Sequence, residues 1–163
     1  MRKCARFEKV SLKQFKKDFG ETFKDLNEIQ LEEIYEKIKL PKRATKYSAG
    51  YDFYIPIDLE LKPNQTIKIP TGIRCYMEED VVLSLYPRSG LGFKFRLQLN
   101  NTVGIIDADY YNAENEGHIQ IKITNDTNEN KTIVLNAGEG FSQGIFTEFL
   151  VTYDDETSGV RTG

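Results

Sequence analysis

Apolar residues recur at helical spacing over the first forty positions and then switch to short alternating runs. Leu12, Phe15 and Phe19 fall on one helical face, and Leu31, Ile34, Tyr35 and Ile38 on another. Ser11-Leu-Lys-Gln14 and Asn27-Glu-Ile-Gln30 carry the capping-box pattern ahead of each stretch, and Leu26 and Leu31 flank the second as a hydrophobic staple. Gly20 reads as the stop of the first helix and Pro41 as the end of the second. Both apolar stripes read as core packing. Beyond Pro41 the spacing predicts strands over Phe53–Ile57, Thr66–Ile69, Ile73–Met77, Val81–Tyr86, Leu97–Asn100, Ile119–Thr124, Thr132–Leu135 and Gly144–Tyr153. In one of them Ile119, Ile121 and Ile123 alternate with Gln120, Lys122 and Thr124, the pattern of a half-buried strand. Pro63-Asn64, Pro70-Thr-Gly72, Ser89-Gly90 and Ala137-Gly138 supply turns. The pattern predicts a mainly β sandwich, jelly roll or barrel over 42–153 with a helical extension over 1–41. The polar, acidic end, 154–163, reads as a mobile arm.

Composition narrows the chemistry. A chain of 163 residues fits one domain that can bury a core without staples. With 22 basic and 25 acidic residues the net charge is −3, which argues against a broad nucleic-acid surface. Cys4 and Cys75 follow no secretory segment, so free thiols in a reducing cytoplasm are expected, and no apolar run approaches the ~18 residues of a membrane span. His118 is the single histidine, which argues against a histidine-based zinc site or a Ser-His-Asp triad. Catalysis must rest on carboxylates, hydroxyls, arginines and a metal.

Four segments are unusual for a plain β-domain. Ser48-Ala-Gly-Tyr-Asp52 sets a carboxylate beside a glycine turn, where it can hold a metal-bound water or simply close an Asx turn. Tyr86-Pro-Arg-Ser-Gly90 gathers backbone N–H groups, a hydroxyl and a guanidinium that suit a phosphate, and it is also a good surface turn. Asn101-Thr-Val-Gly-Ile-Ile-Asp-Ala-Asp-Tyr110 suits a hairpin whose backbone approaches a ligand at Gly104. There Asn101 offers a donor and an acceptor, Tyr110 a flat face and Asp107 a proton acceptor for water. Gly138-Glu-Gly-Phe-Ser-Gln143 ends on an amide that can donate to a phosphate oxygen, or is a structural bend.

Taken together and in this order, the segments resemble the first four motifs of the trimeric deoxyuridine triphosphatases, the dUTPases, from about Lys42 to the C-terminus. Tyr111–Gly117 and the phrase Asn115-Glu-Gly-His118-Ile are similar to the branch common in bacteriophages and Gram-positive bacteria. The resemblance implies a jelly-roll-like β-barrel and a homotrimer with sites shared between chains. The implied reaction is Mg²⁺-dependent hydrolysis of dUTP to dUMP and pyrophosphate, which supplies dUMP for thymidylate synthesis. It implies that Asp107 activates the water and that Asn101 reads the uracil edge with the backbone around Ile105, Ile106 and Gln120. Tyr110 would pack on the deoxyribose and exclude a 2′-hydroxyl. Arg88, Ser89 and Gly90 of a neighbouring subunit would hold phosphates, helped by Gln143, and Asp52 would position a water of the Mg²⁺ ion.

Two departures stand out. Gly140 occupies a position where many relatives carry Arg. Arg161-Thr-Gly163 is similar to the start of a fifth motif, whose arm continues Gly-Phe-Gly and stacks its Phe on uracil; the sequence stops before that Phe. Arg161 is expected to reach the γ-phosphate, and weak turnover is expected without the rest of the arm. Location in a bacterial cytoplasm, or a host's for a phage-encoded chain, is expected. Two alternatives are a dCTP deaminase of the same fold and a nucleotide-gated regulator that binds a protein partner through residues 1–41 or the Tyr111–Gly117 loop.

Overall fold

The computed structural model describes residues 1–163. In chain order the elements are β1 (Ala5–Lys9), α1 (Leu12–Thr22), α2 (Glu28–Lys37), β2 (Lys42–Arg43), β3 (Tyr51–Tyr54), β4 (Leu59–Leu61), β5 (Thr66–Pro70), β6 (Ile73–Met77) and β7 (Val81–Pro87). They continue with α3 (Ser89–Phe95), β8 (Leu97–Leu99), β9 (Gly104–Ile106), a 3-10 turn (Ala108–Asn112), β10 (Gln120–Asn125), β11 (Ile133–Leu135) and β12 (Gly140–Glu148). The largest sheet has the order β2-β3-β12-β7-β9, a second runs β5-β10-β8, and the pairs β1-β6 and β4-β11 complete a mainly β, jelly-roll-like barrel. Every strand pairing is antiparallel.

The core follows from strand alternation. Ile121 and Ile123 of β10 point inward while Lys122 faces out, and Val81, Leu83 and Leu85 of β7 are buried on the same principle. These side chains join Phe53, Ile69, Leu97, Ile119 and Phe141 in one apolar cluster. Each large aliphatic buried this way contributes roughly 1.5–3 kcal/mol.

The helical extension adds a second, smaller core of Val10, Phe15, Phe19 and Leu31. Both expected caps form. Asn27 and Gln30 close a full box. The Ser11 box closes only by half: Ser11 Oγ accepts from Gln14 N at 3.1 Å, but the Gln14 amide turns to Asp18. Four expectations need correction. Residues 1–41 are not wholly helical, because β1 pairs along the whole of β6. Gly20 does not stop α1, which runs to Thr22; that glycine sits inside the helix facing Leu31. Ser89–Phe95 is a helix and not only a turn, closed by Arg96 in the left-handed region (φ 55°). The last strand also sits earlier than expected, over Gly140–Glu148, because β3 and β7 flank it only there.

His118 is fully buried between the two cores. Its Nε2 accepts from the Gly72 N–H at 2.8 Å, and its Nδ1 lies 2.6 Å from Asp18 Oδ2. A ring that accepts at one nitrogen and donates at the other is neutral. Burial holds its pKa below the usual histidine value, opposed by hydrogen bonding and charge from Asp18. The unfolded chain takes up that proton near pH ~6.5 while the folded chain resists it. The stability from a neutral His118 is therefore full above that pH and lost as pH falls through the folded value, by up to about 1.4 kcal/mol per pH unit. The melting temperature is expected to fall more steeply below pH ~6.5 in the wild type than in His118→Gln; equal slopes would contradict a neutral buried ring.

Candidate active site

Sheet order brings three of the four motif segments together. β12 lies between β3 and β7, with Gln143 opposite Asp52 on one side and Tyr86 on the other. Arg88 follows directly from β7, and its Nε lies 3.6 Å from Asp52 Oδ1. The Gln143 amide donates to Pro87 O at 3.1 Å, and its oxygen lies so near Gly50 that a Cβ there would come within 2.2 Å. Arg43 fixes the approach to this turn by donating to the carbonyls of Lys46 (2.7 Å) and Ser48 (3.1 Å). Ser48, Gly50, Asp52, Arg88, Ser89 and Gln143 thus line one open basin. Burial pushes the nearby Tyr54 phenol up, with Asp52 adding to the shift and Arg88 opposing it.

Gly140 has a local reason. A Cβ there would lie 2.9 Å from Arg88 Nη1 and 3.0 Å from its Cδ. The missing side chain lets the Arg88 stem lie across β12. Lys94 shares a neighbouring hollow with Arg88 and Gly90. Lys94 is not evident from the sequence, where only Ser89-Gly90 reads as a turn; in the helix Gly90 and Lys94 stand four apart on one face.

The third motif segment builds a different surface. β9 is the outer strand of its sheet, paired through Gly104, Ile105 and Ile106 to β7 and leaving its other edge open. Gly104 meets Leu85 so closely that a Cβ would come within 3.0 Å of it. Ile105 is exposed, as is Asn101 in the preceding turn. The Asn100 N–H donates to Lys122 O at 3.0 Å, so this turn runs beside the end of β10 that begins at Gln120. Asp107 stands at the N-cap position of the 3-10 turn without a side-chain cap hydrogen bond, its carboxylate half exposed. The Tyr110 hydroxyl donates to His118 O (2.8 Å) and accepts from the Asn115 amide (2.8 Å), which leaves its ring, not its hydroxyl, for a ligand.

Arg161 lies on this second surface. Its Nη2 contacts Asp107 Oδ2 at 2.5 Å, its Nε reaches Asp109 Oδ1 at 3.3 Å, and its backbone N–H donates to Asp109. Those contacts, the backbone hydrogen bond first, hold the Asp109 carboxyl below its ordinary pKa. The arm is otherwise tied by Glu114 N to Thr162 O at 3.0 Å. Within one chain, then, Asp52, Arg88, Ser89 and Gln143 share one basin, while Asp107 and Arg161 line another.

Comparison with known proteins shows the family. The dUTPase family model matches residues 36–160, and the chain belongs to the dUTPase family. The deoxyuridine 5′-triphosphate nucleotidohydrolase of Lactococcus lactis subsp. lactis (strain IL1403) is 43% identical over 120 residues, 73% of this chain and 79% of the relative. The crystal structure of dUTPase from Streptococcus mutans superposes with a TM-score of 0.61 at 44% identity, covering 69% of this chain and 88% of that one. A mutant dUTPase from phage phi11 of S. aureus, described with a structural Mg(II) ion, shares the fold at a TM-score of 0.61 and 22% identity, covering 76% and 92%.

Proposed function

We propose that this chain hydrolyses dUTP to dUMP and pyrophosphate at sites completed between the chains of a homotrimer. The observation that carries the reading is the edge strand β9 ending on a half-exposed Asp107, within a chain 43% identical to a named dUTP nucleotidohydrolase. The open edge of β9 offers backbone donors and acceptors to the uracil ring, with Asn101 and Gln120 alongside. The Tyr110 ring packs on the deoxyribose. Asp107 holds a water in line with the α-phosphorus and takes its proton as the new P–O bond forms. The bond from that phosphorus to the bridging oxygen breaks, and pyrophosphate leaves. A carboxylate is a weak base at neutral pH, so it must both hold the water in line and take its proton; a misplacement of ~1 Å costs ~10²-fold.

Phosphate recognition falls to the first basin. Arg88, Ser89, Gly90 and Gln143, from a neighbouring chain, offset the triphosphate charge and that of the departing pyrophosphate. The donor set also suits Mg²⁺ in one mode. No three His, Cys, Asp or Glu side chains are grouped to hold a metal, and Asp52 stands as a single carboxylate beside Arg88. Mg²⁺ commonly keeps several waters and binds through substrate phosphates, so Asp52 would hold one of those waters. Bound there, Mg²⁺ would neutralise phosphate charge. Arg161 fits the γ-phosphate: a triphosphate outcompetes the two carboxylates it touches in the free chain.

The test is pyrophosphate release from dUTP, dCTP, dTTP and UTP with Mg²⁺. We expect dUTP to be preferred by at least ~10²-fold, since a site built to bond the uracil edge leaves its own groups unpaired against cytosine. Ammonia release from dCTP in place of pyrophosphate from dUTP would overturn the proposal.

A further inference from the structure

The helical extension and the loop from Tyr110 to His118 grip one another through contacts that the reaction above does not use. Asp18 of α1 is buried, and its carboxylate accepts from His118 Nδ1 and from the Gln14 amide. His118 is held at both ring nitrogens, and its carbonyl accepts from the Tyr110 hydroxyl. The grip has a second point. Ser11, the N-cap of α1, donates through both its N–H (2.8 Å) and its hydroxyl (2.6 Å) to the Glu116 carboxylate. Arg74 of β6 pins the same loop by donating to Glu116 O and Tyr111 O, both at 2.7 Å. The loop closes so tightly that a Cβ on Gly117 (φ 69°) would lie 2.5 Å from Tyr110 O.

We infer that Asp18 and His118 are positioning residues for Tyr110, so that α1 sets the gap left for a sugar and with it the preference for deoxyribose over ribose. The inference rests on the reading of Tyr110 as the sugar-facing residue. Its logic is a short relay of fixed geometry. Asp18 orients the His118 ring, the ring anchors the chain at Gly72, and the His118 carbonyl places the Tyr110 hydroxyl. A buried carboxylate is a costly way to fill space, since apolar residues of similar volume often serve stability as well or better. What the pair supplies and an apolar contact would not is direction. A ring displaced by a fraction of an ångström is enough to admit a 2′-hydroxyl.

The test compares kcat/KM for dUTP and UTP in four proteins: wild type, Asp18→Ala, Asp18→Asn and Leu31→Ala. Asp18→Ala is expected to lower the dUTP-over-UTP ratio about tenfold, mainly through a lowered KM for UTP as the 2′-hydroxyl is admitted. Asp18→Asn keeps an acceptor for the His118 Nδ1–H and is expected to restore most of the ratio. Leu31→Ala opens the same small core without touching His118, and should lose thermal stability while keeping wild-type selectivity. Should Asp18→Ala not fold, His118→Gln carries the same expectation at smaller amplitude, its amide serving Asp18 and Gly72 imperfectly. An unchanged ratio in the folded variant, or an equal fall in Leu31→Ala, would overturn the inference and leave the proposed function standing. A wild type that does not hydrolyse dUTP is a distinct result, and it removes both.

Discussion

Asp107→Asn is expected to bind a non-hydrolysable dUTP analogue within a few-fold of wild type and to release pyrophosphate ~10²–10⁴ times more slowly, the usual worth of a positioned general base. The asparagine keeps the size of the side chain and one acceptor, so the contact with Arg161 persists, and the 3-10 turn is undisturbed because the Asp107 side chain makes no cap hydrogen bond to it. What disappears is the proton acceptor. Binding should not suffer, because removing a carboxylate near a triphosphate relieves repulsion. Calorimetric titration together with a pyrophosphate assay separates the two effects. Near-normal release from this variant would remove Asp107 as the water-activating group.

Arg88→Ala is expected to lower kcat/KM by ~10²–10³, the range seen when one preorganised charge-stabilising donor is lost. The melting temperature should barely move. The Arg88 side chain is about half exposed, its contact with Asp52 is 3.6 Å, and exposed ion pairs are worth at most ~1 kcal/mol. Arg88→Lys should recover only part of the loss, because an ammonium does not reproduce the guanidinium fork on phosphate oxygens. Kinetics of Arg88→Ala within threefold of wild type would exclude a phosphate role for the first basin.

Much of this architecture is legible in the sequence because the signals are local. The isoleucine alternation of β10 and the Asn27–Gln30 box each involve neighbours a few residues apart. β1 is hidden because Arg6 and Glu8 alternate with a single large apolar residue, Phe7; only its pairing with β6 explains it. α3 is hidden because Ser89-Gly90 reads as a turn and Gly92 weakens a helical pattern; the helix shows in Gly92 N–H bonding to Arg88 O at 2.9 Å. The Asp18–His118 pair spans a hundred positions, and no local pattern announces it.

The candidate site divides the same way. Its residue types and order along the chain are readable, including the glycine at 140. The place of Arg161 is not: in the free chain it rests on Asp107 and Asp109, the carboxylates its own arm can reach. Nor does the sequence show that Asp52 and Arg88 line a different basin from Asp107; that follows from β12 lying between β3 and β7 while β9 takes the outer edge. The split is the physical reason for expecting chains to share sites.

Mixed trimers test that claim most directly. Asp107→Asn and Arg88→Ala chains, co-expressed with different affinity tags and purified through both, give trimers that contain each variant. If every site takes Asp107 from one chain and Arg88 from the next, each mixed trimer has one site in which both residues are intact. About a third of wild-type pyrophosphate release should then return, although each variant alone is nearly inactive. Mixed trimers no more active than the pure variants would contradict a site built between chains.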